Sequence, residues 1–177
     1  MALALDFVGK VPQNDGNVAI QRESPLTAHA VIAVPVDDRP GILRRVEEML
    51  GVRRLKSDHD LVTLVEERLP TRALESLCRH GLSDEEAYAL ILPRRTLAHR
   101  RARREPLSGE ESDRVVRLAR MAAFAERVFG DRERAWRWLR KAKRQFQGRS
   151  PLELMATEAG ARLVEELLYA IDEGMAA

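Results

Sequence analysis

Aromatic residues make up only 5% of this 177-residue chain, and cysteine occurs once, at Cys78. A single thiol excludes an internal disulfide, and in a Leu/Ala-rich setting it reads as a small core residue, not a nucleophile. No stretch approaches the ~20 apolar residues of a membrane-spanning helix. The opening Met1–Lys10 has no basic leading region and meets Asp6 before any long apolar run, so it does not read as a secretory signal. A cytoplasmic protein with no membrane partner is expected. His29, His59, His80 and His99 are too scattered for zinc-ligand spacing, which predicts no metal. Glycine-rich phosphate loops and a strained nucleophile elbow are missing too, which predicts no enzyme activity, no cofactor and no small-molecule substrate. Acid pairs such as Glu110-Glu111 and Glu165-Glu166 read as capping groups and solvated helix faces.

What is present favours helices. Charged residues reach 33% and apolar ones 45%, with Ala, Leu, Arg and Glu dominant, and straight-chain side chains lose little rotamer freedom in a helix. Residues 1–40 differ, with Gly, Pro, Asn and Asp breaking up short apolar pieces and only Ala30–Val36 reading as a strand, and the N-terminal segment is taken to run to residue 50. This segment is expected to be flexible or loosely attached. Val34–Val46 resembles the first strand and helix of an ACT ligand-binding domain, but a helical pattern replaces the further strands such a domain needs. Ligand sensing is therefore a remote reading.

Three capping boxes mark helix starts. Ser83-Asp-Glu-Glu86, Ser108-Gly-Glu-Glu111 and Ser150-Pro-Leu-Glu153 each place Ser at the N-cap and Glu three residues on. Gly81, Gly130, Gly148 and Gly174 follow helical runs, where a left-handed C-terminal cap favours glycine. The spacing predicts helices near 42–50, 58–69, 71–80, 84–91, 93–104, 109–129, 132–145, 151–156 and 158–173. The expected fold is all-α.

The first stretch to carry function is Leu82–Arg104. A capped short helix is followed by a break at Leu92-Pro93 and then by a run with six arginines between residues 94 and 104. Pro93 can stop one helix and open the next, as a helix-turn-helix requires. Leu97 is the inward anchor of the second helix. Arg94, Arg95, Thr96, His99, Arg100 and Arg103 are the candidate DNA-binding residues, because arginine pairs bidentately with guanine and also meets phosphate. The bland alternative is a solvated basic helix end. The proline break, the capped partner helix and the absence of acids before Glu105 favour DNA.

Farther on, residues 109–129 read as a long amphipathic helix, and 131–146 as a strongly basic one. The last helix is apolar at Leu163, Leu167, Leu168 and Ile171 and acidic at Glu165, Glu166, Asp172 and Glu173. The order Ile91–Arg100, Leu107-Ser-Gly-Glu-Glu-Ser-Asp113, Arg127-Val-Phe-Gly-Asp131, Gly148-Arg-Ser-Pro-Leu-Glu-Leu154 and Thr157-Glu-Ala-Gly-Ala161 resembles the Xre/MbcA/ParS antitoxins of type II toxin–antitoxin systems. The likeness runs from about Val52 to the C-terminus. It departs from the family at Lys141–Phe146, where a Pro-Asn pair is usual.

The resemblance implies an Xre-like helix-turn-helix region over 51–111 and a helical toxin-binding domain over 112–177, preceded by the segment 1–50. It implies an antitoxin that silences a NAD-consuming RES-domain toxin by covering its active site, and an operator-binding repressor of its own operon. Leu168, Tyr169, Ile171, Asp172, Glu173, Gly174 and Met175 are the expected toxin-binding residues. The competing possibility for this helix is that Leu163, Leu167 and Ile171 close the chain's own core and the tail frays. A homodimer is expected, because operators carry paired half-sites, along with a hetero-oligomer with the toxin. The alternative function is a stand-alone transcription regulator whose C-terminal helices serve dimerisation or effector binding.

Overall fold

The computed structural model describes residues 39–175, and every regular element among them is helical. The order is α1 (Arg39–Leu50), α2 (Asp58–Glu66), α3 (Thr71–Arg79), α4 (Asp84–Leu90), α5 (Arg94–Arg103), α6 (Gly109–Phe129), α7 (Arg132–Arg140), α8 (Pro151–Leu154) and α9 (Glu158–Asp172), with a 3-10 turn at Arg144–Phe146 between α7 and α8. The all-α expectation holds. Ala30–Val36, the expected strand, lies outside the described residues.

α6 is the axis of the fold. Its start is built by the Ser108 box: Glu111 N–H donates to Ser108 Oγ at 3.2 Å, and Ser108 N–H donates to Glu111 Oε2 at 2.7 Å. Met121, Ala122, Ala123, Phe124 and Ala125 are consecutively buried, and a helix apolar all round must be covered on all sides. The covering elements are α1, α2, α7 and α9, with α3 touching it as well. Small alanines let these helices approach closely. Ser112 Oγ, fully buried, accepts from Leu69 N–H at 2.9 Å and ties the α2–α3 connection to α6.

The expectation that everything up to residue 50 is loosely attached is corrected for its last twelve residues. α1 packs on α6 and α3 with Leu43, Val46, Met49 and Leu50 buried. Each such side chain contributes roughly 1.5–3 kcal/mol over leaving it exposed, which anchors the helix. Arg45 Nε also donates to Glu126 Oε2 on α6 at 2.6 Å. The short apolar period of α1 was legible, but its partner faces were not.

A second correction concerns α7, expected to continue to 145. It stops at Arg140, because Lys141 is extended (ψ 123) and the chain folds back instead. Lys143 N–H donates to Arg149 O at 3.0 Å and Gly148 N–H to Lys143 O at 2.9 Å, closing a compact loop around buried Phe146. This is the segment that departs from the family's Pro-Asn pattern.

The α8–α9 corner requires glycine for a different reason. A Cβ on Gly160 would lie 2.0 Å from the Leu154 carbonyl oxygen, a backbone atom that cannot move aside. Thr157 Oγ1 accepts from Gly160 N–H at 3.1 Å and starts α9 at that contact.

Candidate nucleic-acid and partner interfaces

α4 and α5 form a helix–turn–helix corner. The Ser83 box opens α4, with Glu86 N–H on Ser83 Oγ at 3.2 Å and Ser83 N–H on Glu86 Oε2 at 2.8 Å. Ile91 and Leu92 are buried in the turn, and Pro93 (φ −60) stands at the N-cap of α5. Arg114 of α6 donates from Nη1 to the Ile91 carbonyl at 3.0 Å, satisfying an acceptor that the end of α4 leaves free. The turn is thus held from behind.

Leu97 is the inward anchor of α5, only 4% exposed. Arg94, Arg95, His99 and Arg103 are exposed and Thr96 is half-buried, so these five share the solvent side of the second helix. Arg100 does not join them. Its Nε lies 2.9 Å from Glu111 Oε2, its Nη2 donates to Glu111 Oε1 at 3.2 Å and its Nη1 to the Pro106 carbonyl at 3.1 Å. With its guanidinium turned into the fold, Arg100 clamps α5 to α6, which corrects its expected place on the DNA-facing set. Arg101 similarly reaches back to Glu75 of α3 at 2.9 Å.

The expected toxin-binding residues also divide. Leu168 is fully buried and Tyr169 nearly so, its ring 4.6 Å from that of Phe124 at a 55° tilt. Both belong to the chain's own core, whereas of the three residues expected to close that core Leu163 is exposed and Leu167 and Ile171 are half-buried. Ile171 is half-buried; Asp172, Glu173, Gly174 and Met175 are exposed. Asp172 is paired with Arg127 of α6. Gly174 (φ 70) closes α9, with Met175 N–H donating to Ala170 O at 2.8 Å, so this end is ordered as far as the described residues run. Leu163, 49% exposed, stands farther back on the solvent side of α9.

Contacts not read from the sequence join α7 to the helix–turn–helix. Arg140 donates from Nε to Glu86 Oε1 at 2.6 Å, and from Nη2 to Glu86 Oε2 at 2.8 Å and the Gly81 carbonyl at 2.6 Å. Trp136, buried, lies against Gly81, where a Cβ would come within 2.4 Å of the indole Nε1. Burial works to raise the pKa of Glu86, but the Arg140 and Ser83 hydrogen bonds carry it below the usual carboxylate range. The one available signal was Gly81 itself, whose backbone (φ +133) disfavours any other residue.

Cys78 is half-buried, and burial, with the Asp84 carboxylate adding to it, pushes its thiol up to about 11. That is the opposite of a reactive thiolate. Among the described residues no three His, Cys, Asp or Glu side chains gather to hold a metal ion, and no helix is long and apolar enough to cross a membrane.

Two family descriptions match this chain. Residues 60–120 match the antitoxin Xre-like helix-turn-helix domain, and residues 124–174 the antitoxin Xre/MbcA/ParS C-terminal toxin-binding domain. The two regions meet inside α6. An Antitoxin Xre of Pseudomonas putida is 37% identical over 130 residues, 73% of this chain and 82% of that protein. An Antitoxin Xre of Yersinia enterocolitica is 33% identical over 85 residues, 48% of this chain and 57% of that one.

Proposed function

The chain belongs to the Xre antitoxin family, and from that premise we propose that it neutralises a NAD-consuming RES-domain toxin and represses its own operon. The observation that carries this reading is the division of exposed chemistry on one body. α5 presents exposed basic side chains at the position of a recognition helix, and α9 ends in exposed acidic and apolar groups.

On the DNA side, Arg94, Arg95, Thr96, His99 and Arg103 read the operator. Arg95 and His99, one turn apart on α5, meet base edges or phosphates in the major groove. Arg100 acts by positioning α5 through Glu111. On the toxin side, a site that binds a dinucleotide presents basic groups to its pyrophosphate. Glu173 and Asp172 complement such a field, while Met175 and Ile171 supply apolar contact. Ile171–Met175 cover the toxin's active-site entrance, with Leu163 extending the contact along α9. Two copies of the chain bind a paired operator, and they associate with the toxin in a hetero-oligomer.

Co-expression tests the toxin arm. A RES-type protein encoded beside this chain should arrest growth alone and not together with it. Absence of rescue would leave a DNA-binding regulator without that partner and refute the toxin reading. A chain ending at Tyr169 should still fold and bind DNA but fail to protect cellular NAD. If it protects, the end of α9 is not the covering element.

A further inference from the structure

The segment assigned to toxin binding also carries the most concentrated positive charge outside α5. Residues 131–149 hold eight Lys and Arg against two acids, in a chain whose net charge is only +2. Arg140 is spent on Glu86 and Gly81, and Lys143 donates to the Trp138 carbonyl at 3.0 Å. Arg137 and Lys141 are exposed and make no ion pair or side-chain hydrogen bond among the described residues. They line an open concavity of about 520 Å³ with Arg132, Arg140 and Trp136, in which Glu133 is the acid; its far wall is Gly81, in the turn leading into α4.

This places the charge beside the helix–turn–helix. Arg140 fastens the end of α7 to the first turn of α4 through Glu86, and Trp136 packs on Gly81, so the concavity is held in a set position against α4. In a docked helix–turn–helix the second helix enters the major groove while the first crosses the sugar–phosphate backbone. α4 is poorly suited to meet phosphate by itself, because Asp84 and Glu85 stand exposed on its first turn. Cations for a backbone track beside α4 must come from another element. α7 supplies them.

We propose that Arg137 and Lys141 of α7 form a second DNA-contacting surface, binding backbone phosphates beside the site read by α5. The toxin-binding domain then contributes to operator affinity without contributing sequence information, since phosphate contacts position a protein and base contacts specify. The proposal rests on the DNA-binding arm of the proposed function.

The test is a salt titration of the full chain on two duplexes of equal length: the DNA upstream of its own reading frame, and a scrambled sequence. Each phosphate contact adds about 0.9 to the slope of log affinity against log salt. Arg137→Gln with Lys141→Gln should lower that slope by about 1.8 per bound copy on both duplexes, about 3.6 where two copies sit on the paired operator, and weaken binding roughly thirtyfold per copy near 0.15 M salt. The ratio between the duplexes and the neutralisation of the toxin should stay unchanged. Arg95→Ala should instead reduce the ratio.

Three results would overturn the inference. An unchanged slope in the double variant, with Arg95→Ala still impaired, refutes the α7 contact alone. Lost neutralisation with unaltered DNA binding assigns the concavity to the toxin. Failure of the wild-type chain to bind either duplex refutes the DNA arm and this inference together. Circular dichroism of the double variant guards against misfolding, and Arg137→Lys should retain the wild-type slope.

Discussion

Replacing Arg100 by alanine separates two roles that look alike in sequence. The side chains of Arg100 and Glu111 are 22% and 12% exposed, and the guanidinium spans Glu111 and the Pro106 carbonyl. Breaking a fully buried ion pair costs about 3–5 kcal/mol, because the surviving charge is left without a partner. Here Glu111 keeps the Ser108 N–H at 2.7 Å and some contact with water. The expected loss is therefore smaller, about 2 kcal/mol. For a chain of this size that lowers Tm by roughly 4–8 °C. Arg95→Ala, on the open side of α5, should stay within about 0.5 kcal/mol of the wild type while losing about 1–3 kcal/mol of base discrimination. Thermal melts followed by circular dichroism, paired with a salt-controlled shift assay, read both quantities. Glu111→Gln keeps the capping geometry, so the double-mutant cycle with Arg100→Ala should return a coupling of about 1 kcal/mol or more. If Arg100→Ala melts with the wild type and relaxes specificity at one base pair, Arg100 reads DNA and the clamp is refuted.

Further outcomes follow from contacts elsewhere. Gly81→Ala combines a strained backbone with a Cβ 2.4 Å from Trp136 Nε1 and should cost about 3 kcal/mol or more; adding Trp136→Leu should recover only the steric part, and a denaturation midpoint equal to wild type for the single variant would refute the close contact. Gly160→Ala meets the Leu154 carbonyl oxygen and should destabilise strongly, whereas Gly109→Ala, with open space at its Cβ, should stabilise by about 0.4–1 kcal/mol. Urea melts of the two variants would contradict this if they moved alike. The folded pKa of Glu86 is lowered, so its pair with Arg140 contributes fully above the ordinary carboxylate range and loses its contribution as pH falls through the depressed value. The advantage of wild type over Glu86→Gln should therefore be present at neutral pH, vanish in acid, and stay below about 1 kcal/mol because the pair is partly solvated. An advantage that grows on acidification would reverse the sign and refute the assignment.

How much was legible follows from the range of each interaction. The starts of α4, α6 and α8 are written in Ser83, Ser108 and Ser150 with their glutamates, because a capping box closes over four residues and needs no distant partner. Leu97 as the inward side of α5 follows from helical spacing alone. The end of α7 did not follow, because Lys141–Gln147 continues a helix-permitting composition, and the back-bonding of Lys143 to Arg149 that stops the helix is not visible in composition.

The sequence by itself determined that this is a helical chain with a proline-broken, arginine-rich second helix, and its motifs pointed to the Xre antitoxins. It did not determine what holds Arg100: three residues after buried Leu97, Arg100 lies toward the inward face while Arg95 lies on the opposite one, but its partner Glu111 is eleven residues beyond it. Likewise Leu168 and Tyr169 are spent on Phe124 and the core, leaving half-buried Ile171 and exposed Asp172 to Met175 at the end. Periodicity tells which side chains share a helix face. Only the packed neighbours decide whether that face meets solvent, a partner or the protein's own interior.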